Sequence, residues 1–212
     1  MVTCNPLRPE LAELDEAARR LAFENRGPTA HAVKIAGRYS IKRHVLIPSF
    51  ALMWKAGADR DMPRVHHAGR VGVTGIVATA LVAEGIKRFL CRGRPVDCGD
   101  AASWGEAGNR SFPSGHSGSA FAAATAVAVA VEDPAVATVA FATAAVLSTG
   151  RVIADRHWMT DVIAGAVLGT AVTWIASLAF QRPFQPPVSR TAGRHLQPAE
   201  ARPLPPAARS FR

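Results

Sequence analysis

Cysteine is scarce. Three residues in 212, with no CxxC or CxxC…HxxxH spacing, leave neither a disulfide scaffold nor a structural zinc site to organise this chain. Aromatic residues make up 7% and do not interleave with the basic residues, which argues against a platform for nucleic acid. Lysine supplies four of the 25 basic residues, and the arginines are spread through the N-terminal region, the loops and the C-terminal segment rather than gathered in one tract. Acids number 16, so the net charge of +9 suits an anionic substrate or an anionic lipid surface. The opening MVTCNPLRPELAELDE has no basic run leading into an apolar stretch, so no cleavable signal peptide is expected and membrane insertion falls to internal segments.

What the chain has is uncharged length. Residues 117–131, 135–150 and 162–180 contain no charged side chain, and Glu132-Asp133-Pro134 breaks the first two into a helical hairpin. Residues 71–86 form a further apolar run interrupted by Glu84, and 35–58 is long enough to cross a bilayer with Lys42, Arg43 and Lys55 near its ends. Successive stretches of this length approach the roughly 20 residues that a spanning helix needs. The expected fold is therefore all-α, a multi-pass transmembrane helical bundle of about five spans. A soluble Ala-rich bundle is the other reading of such softly apolar helices, whose Ala and Gly content allows close packing. Leu11 to Glu24 has apolar residues at helical spacing after Pro9 and reads as an amphipathic N-terminal helix lying on a surface. Residues 1–180 make one helical membrane domain. The segment 181–212 holds seven prolines, six arginines and one acid, so it cannot bury a core and is expected to be a disordered tail.

Three polar clusters punctuate the spans. Lys87 and Arg94 flank Gly93 and precede Pro95, a composition that bends the chain so that both cations can meet one anion, although basic residues beside a span also serve as headgroup anchors. Ser114, Gly115 and His116 stand where an uncharged helix begins, and free N–H groups there attract phosphate, with a plain N-cap at Ser114 as the simpler alternative. Arg151, His157 and Asp161 stand at the entrance to the last apolar helix. The four-residue spacing lets Asp161 orient and activate His157 on one helix face, the alternative being a capping Asp161 and an interfacial His157. Alternation of spans brings all three clusters to the same side.

Together KRFLCRGRP, PSGH and GRVIADRHWMTD resemble the three-part signature of the type 2 phosphatidic acid phosphatase (PAP2) superfamily, from about Gly85 to Gly169 with the spacing inside each part intact. The resemblance implies a membrane lipid phosphatase whose site faces the extracytoplasmic side, multi-pass in the cell membrane. It implies that Lys87, Arg94, Ser114, Gly115 and Arg151 hold the phosphoryl oxygens, that His157 oriented by Asp161 attacks phosphorus, and that His116 protonates the leaving oxygen. No cofactor and no metal are implied. The substrate would be a lipid phosphate monoester or a lipid or polyprenyl diphosphate, in contact with the bilayer and without nucleic acid. A soluble acid phosphatase or vanadate-dependent haloperoxidase of the same superfamily, and a non-catalytic binder of anionic lipid, are the competing functions. One departure is visible: the family usually has Ser where this chain has Gly150.

Four smaller expectations complete the reading. Glu84 is the helical ion-pair partner of Lys87. Cys91 and Cys98 share a loop, so a short disulfide between them is open. His66 and His67 lie in a basic loop. Trp54, Trp104, Trp158 and Trp174 are mostly interfacial anchors at span ends.

Overall fold

The computed structural model describes residues 9–104 and 110–180. Among them lie eight helices: α1 (Pro9–Glu24), α2 (Pro28–Tyr39), α3 (Arg43–Asp59), α4 (Pro63–Leu90), α5 (Pro95–Cys98), α6 (Gly115–Val131), α7 (Pro134–Ile153) and α8 (Met159–Leu178). Prolines open many of them, at Pro28, Pro63, Pro95 and Pro134, because a first-turn N–H has no helical partner to lose. The expected break before α7 is sharp. Glu132 adopts a left-handed conformation and the Asp133 carboxylate caps the N–H groups of Ala135 and Val136. The expected 181–212 tail lies outside the described residues.

Helix α6 sits centrally, packed on α4, α7 and α8, while α3 lies along α4 and α2 along α7. Small residues make these approaches possible. A Cβ on Gly169 would run into the carbonyl of Gly118, and one on Gly165 into the carbonyl of Ser114, so α6 and α8 touch backbone to backbone. The buried clusters are correspondingly light: Phe50, Val71, Ile76, Ala122 and Ala126 on one side, Ile41, Ala120, Ala124 and Ala144 on the other. Large apolar residues point outward instead, Leu81, Val139, Val167 and Ile175 being 64–69% exposed. A bundle that keeps small residues inside and large apolar ones outside matches a bilayer as its solvent.

Three helices, α4, α7 and α8, are long and apolar enough to cross a membrane, and α6 is a shorter apolar helix of 17 residues. The span expected at 35–58 is divided instead. The chain turns at 40–42 between α2 and α3, and α3 carries Pro48 inside it. Helix α4 starts earlier than the apolar run does, at Pro63, so His66 and His67 belong to a helix and not to a loop; His66 packs edge-on against Trp54.

Candidate active site

The connection after α4 is folded back on itself and tied to the last helix. Cys91 ends α4 in a left-handed turn, Arg92 bridges to Trp104, and Ser111 N–H donates to the Arg92 carbonyl at 2.9 Å. Ser114 N–H then donates to the Asp161 carbonyl at 2.9 Å, joining the start of α6 to the start of α8. Lys87 stands in the last turn of α4, Arg94 caps α5, His116 opens α6, Arg151 ends α7 and His157 precedes α8. Chain sections far apart in sequence thus bring their polar residues to one place.

That place is a cavity of about 400 Å³, lined among others by Lys87, Arg94, Gly115, His116, Arg151 and His157. A Cβ on Gly115 would stand 3.8 Å from Lys87 Nζ, which leaves backbone and ammonium facing the same space. Two expected residues are not on the wall. Ser114 is fully buried and its Oγ accepts from Ser117 N–H at 3.4 Å, the N-cap geometry, while Asp161 is buried behind His157. The wall also includes Lys42, Arg43, His44 and Ser119, which the motif spacing did not point to. Arg43 Nη2 lies 4.0 Å from the Gly115 Cβ position, on the side opposite in sequence to anything in the three clusters. The turn between α2 and α3 delivers it, and no spacing rule joins position 43 to position 87.

Among the described residues none of Lys42, Arg43, Lys87, Arg94 and Arg151 makes an ion pair. Arg151 is nine-tenths buried, and its Nε has no hydrogen-bond partner among the described residues. Cations in a concave site without carboxylate partners can hold an anion such as phosphate.

Behind the wall, Asp161 gathers donors. Its Oδ1 accepts from Arg92 Nη1 at 2.7 Å; its Oδ2 accepts from the Ser111 hydroxyl and from Trp158 N–H at 3.0 Å, and faces His157 Nδ1 at 3.5 Å. The expected shared helix face is corrected here: His157 lies outside α8, and the two meet because Asp161 caps the turn that starts the helix. Burial holds the His157 imidazole below the ordinary histidine range, opposed by the hydrogen bond and charge of Asp161. At neutral pH the ring is therefore uncharged.

Arg92 and Asp15 complete this layer. Arg92 Nη2 donates to Asp15 Oδ2 at 2.6 Å and to the Ala101 carbonyl at 2.9 Å, and its guanidinium lies 4.9 Å from the Trp104 ring centre and 5.4 Å from that of Trp158. Asp15 also accepts from Thr160 N–H at 2.7 Å and from its hydroxyl at 2.6 Å. Helix α1 is the expected amphipathic helix, with Asp15 as its buried residue. Its polar residues face the loops, with Arg19 on Asp155 at 2.8 Å and Glu16 on the Ala101 N–H at 3.2 Å, while Leu11, Leu14 and Leu21 are exposed. A fully buried Asp in an otherwise ordinary amphipathic sequence carries no local signal, so Asp15 was not legible; Arg92, inside KRFLCRGRP, was visible only as one more loop arginine.

Further expectations are corrected by the same contacts. Trp104 and Trp158 are buried against Arg92, and Trp158 Nε1 donates to the Gly93 carbonyl, so they are not anchors; Trp54 and Trp174 are exposed. Glu84 pairs with Arg110 at 3.0 Å and Arg88 at 3.6 Å rather than with Lys87. Cys91 and Cys98 are free thiols, donating to carbonyls of Lys87, Arg88, Arg94 and Asp100. Gly150 has a packing reason: a Cβ there would stand 2.5 Å from the Val33 carbonyl of α2.

Fold and site define a helical membrane protein with a cation-lined cavity backed by a His–Asp pair. Residues 70–185 match the PAP2 superfamily, and the chain belongs to it. It is 35% identical over 79 residues to the lipid A 1-phosphatase of Porphyromonas gingivalis, a stretch covering 34% of this chain and 18% of that protein's length. The fold is similar to that of the transmembrane PAP2-type phosphatidylglycerolphosphate phosphatase of Bacillus subtilis, with a TM-score of 0.66, 22% identity and coverage of 86% and 93% of the two chains. It is also similar to Aquifex aeolicus LpxE, with a TM-score of 0.57, 23% identity and coverage of 76% and 92%.

Proposed function

We propose that the protein is a membrane lipid phosphatase that hydrolyses a lipid phosphate monoester or lipid diphosphate through a phosphohistidine, without a metal ion. The observation that carries this is the five cations without an ion-pair partner among the described residues, around one cavity whose wall includes a neutral histidine backed by a carboxylate. His157 has Nδ1 turned to Asp161 and Ser111, which leaves Nε2 to attack phosphorus. The bond from phosphorus to the leaving oxygen breaks as the N–P bond forms. His116, which burial and the surrounding cations hold well below the ordinary histidine range in the free protein, takes up a proton as the phosphate dianion offsets those cations and gives it to the leaving oxygen. A water then attacks the phosphohistidine, passes its proton to His116 and releases inorganic phosphate. Lys87, Arg94, Arg151 and the Gly115 N–H neutralise the equatorial oxygens, where developing charge is felt most in a site sheltered from water. Ser114 supports them by capping α6.

Metal independence rests on the donor set: the Asp161 oxygens are occupied by Arg92, Ser111 and Trp158. The outward apolar residues favour the membrane branch over a soluble phosphatase or haloperoxidase. Lys42 and Arg43 favour a headgroup with a second anionic group, since three cations already match one phosphate dianion. The extracytoplasmic side for the cavity rests on the family resemblance. Detergent-purified protein should release phosphate from a panel of lipid phosphates and diphosphates after EDTA treatment, with labelled phosphate trapped by acid quench on His157. Strict dependence on an added divalent metal, or no turnover of any lipid phosphate, refutes the reading.

A further inference from the structure

We infer that Asp15 on α1 is a positioning residue for phosphoryl transfer, acting through Arg92 on the charge that Asp161 presents to His157. The inference rests on the proposed role of His157. Asp15, Arg92 and Asp161 have completely buried side chains and form one chain of ion pairs, 2.6 Å from Asp15 to Arg92 and 2.7 Å from Arg92 to Asp161. Two carboxylates and one guanidinium carry a formal charge of −1 in a site where water does not screen them. With Arg92 facing Asp161 alone, the pair would be neutral and the imidazole would meet little negative potential. Asp15 takes a share of the guanidinium and leaves Asp161 a net anion on the side facing His157. It also fixes geometry, because it holds the N–H and the hydroxyl of Thr160, the residue just before Asp161. A helix outside the three motif clusters thereby reaches the reacting atoms through two ion pairs.

The other charged groups facing His157 are Lys87 from α4, Arg94 from the loop, His116 from α6, Arg151 from α7, Lys42 from the turn before α3, and Arg43 and His44 from the first turn of α3. All of them are cationic or can become so, and none touches Asp15, so removing the Asp15 charge leaves them unchanged. The effect of Asp15 therefore has a sign. Asp15→Asn neutralises the cluster, Arg92→Gln takes it to −2, and the double variant returns it to −1.

The test is the pH dependence of turnover of a lipid phosphate by the full chain in detergent, for these three variants and for Arg19→Ala, which loosens α1 through its contact with Asp155 but lies outside the relay. Asp15→Asn should lower kcat by about tenfold with KM within roughly twofold, and move the acid limb down by about half a unit or more, because the imidazolium loses a favourable charge. Arg92→Gln should move the limb up, and the double variant should bring it back towards the wild type. Arg19→Ala should leave it in place. The substrate's own ionisation is common to every variant, so differences between limbs belong to the protein. A limb that stays fixed in Asp15→Asn, whatever the activity, or a double variant with no return, overturns the inference and reduces Asp15 to a structural contact. If Asp15→Asn does not fold, the direction of the Arg92→Gln limb decides. Trapped phosphate that persists in His157→Ala would instead overturn the mechanism itself.

Discussion

Two sets of arginines stand within one layer of each other and are treated oppositely by the fold. Arg92 and Arg19, on the α1 side, are paired with the protein's own carboxylates, Asp15, Asp161 and Asp155. Arg43, Arg94 and Arg151, around the cavity, have no carboxylate partner among the described residues. A guanidinium taken from water needs compensation, and the protein supplies it in the first set and leaves it to a ligand in the second. Where the counter-ion comes from separates cations that hold the structure from cations that hold a substrate.

The largest effect should come at the junction of the two sets. His157→Ala should remove both activity and acid-trapped phosphoenzyme, a loss on the order of 10³-fold or more for a nucleophile. His116→Ala should lose much less with an activated aryl phosphate than with a lipid phosphate, since a good leaving group needs no proton. Label retained in His157→Ala and lost in His116→Ala would exchange their roles.

Next come the unpaired cations. Arg151→Gln should lower kcat/KM by about 10²-fold for every substrate, because a buried guanidinium on the phosphoryl oxygens is lost. Arg43→Gln should cost about tenfold and mostly with a lipid diphosphate, the loss of one charge-assisted contact. Equal losses on monophosphate and diphosphate would show that Arg43 serves the same phosphate as the motif cations. Either variant should leave thermal stability unchanged, because neither residue has a counter-ion among the described residues to strand. Arg92→Gln should lower thermal stability for the opposite reason.

A pH experiment sharpens the same contrast. Burial, the larger influence, holds His157 below the ordinary histidine value, so the folded protein leaves it neutral at pH values where the unfolded chain has taken up a proton. The sign follows. Activity dependent on neutral His157 should persist as pH falls through about 6.5, while folding stability declines below that value because only the unfolded state gains the proton. A His157-dependent limb above pH 7, tracked by phosphoenzyme trapping, would mean that Asp161 outweighs burial.

The cavity set was largely legible in the sequence and the supporting set was not, for a physical reason. Lys87, Arg94, Gly115, His116, Arg151 and His157 lie in short polar stretches between apolar runs, so alternation of spans alone brings them together. Glu132-Asp133-Pro134 was readable in the same local way. Asp15 meets Arg92 across 77 positions, and Arg43 reaches Gly115 across more than 70, through packing that periodicity does not encode. The break at 40–42 falls in the polar stretch 38–44, whose charges a single span over 35–58 would have to carry towards the bilayer. Burial of Trp104 and Trp158 followed from Arg92, so missing one residue meant missing all three.

The smallest expected effect on activity, and the one most particular to this chain, is at Gly150. The family usually has Ser before the third-motif arginine, so Gly150→Ser restores the common residue and would ordinarily be expected to help. Here its Cβ would stand 2.5 Å from the Val33 carbonyl and 3.4 Å from Lys34 Cα, both backbone atoms of α2 that cannot rotate away. Helix α2 must retreat or α7 must bend, a cost of about 1–3 kcal/mol for overpacking. Because Arg151 follows directly and lines the cavity, a shift of α7 should also reduce turnover by a few-fold. Gly150→Ala separates the causes: it adds the Cβ without the hydroxyl, and should lower thermal stability in detergent as much as Gly150→Ser does. A rise in melting temperature for Gly150→Ser with a fall for Gly150→Ala would mean that the hydroxyl finds a partner worth more than the clash, and that α2 yields at this crossing.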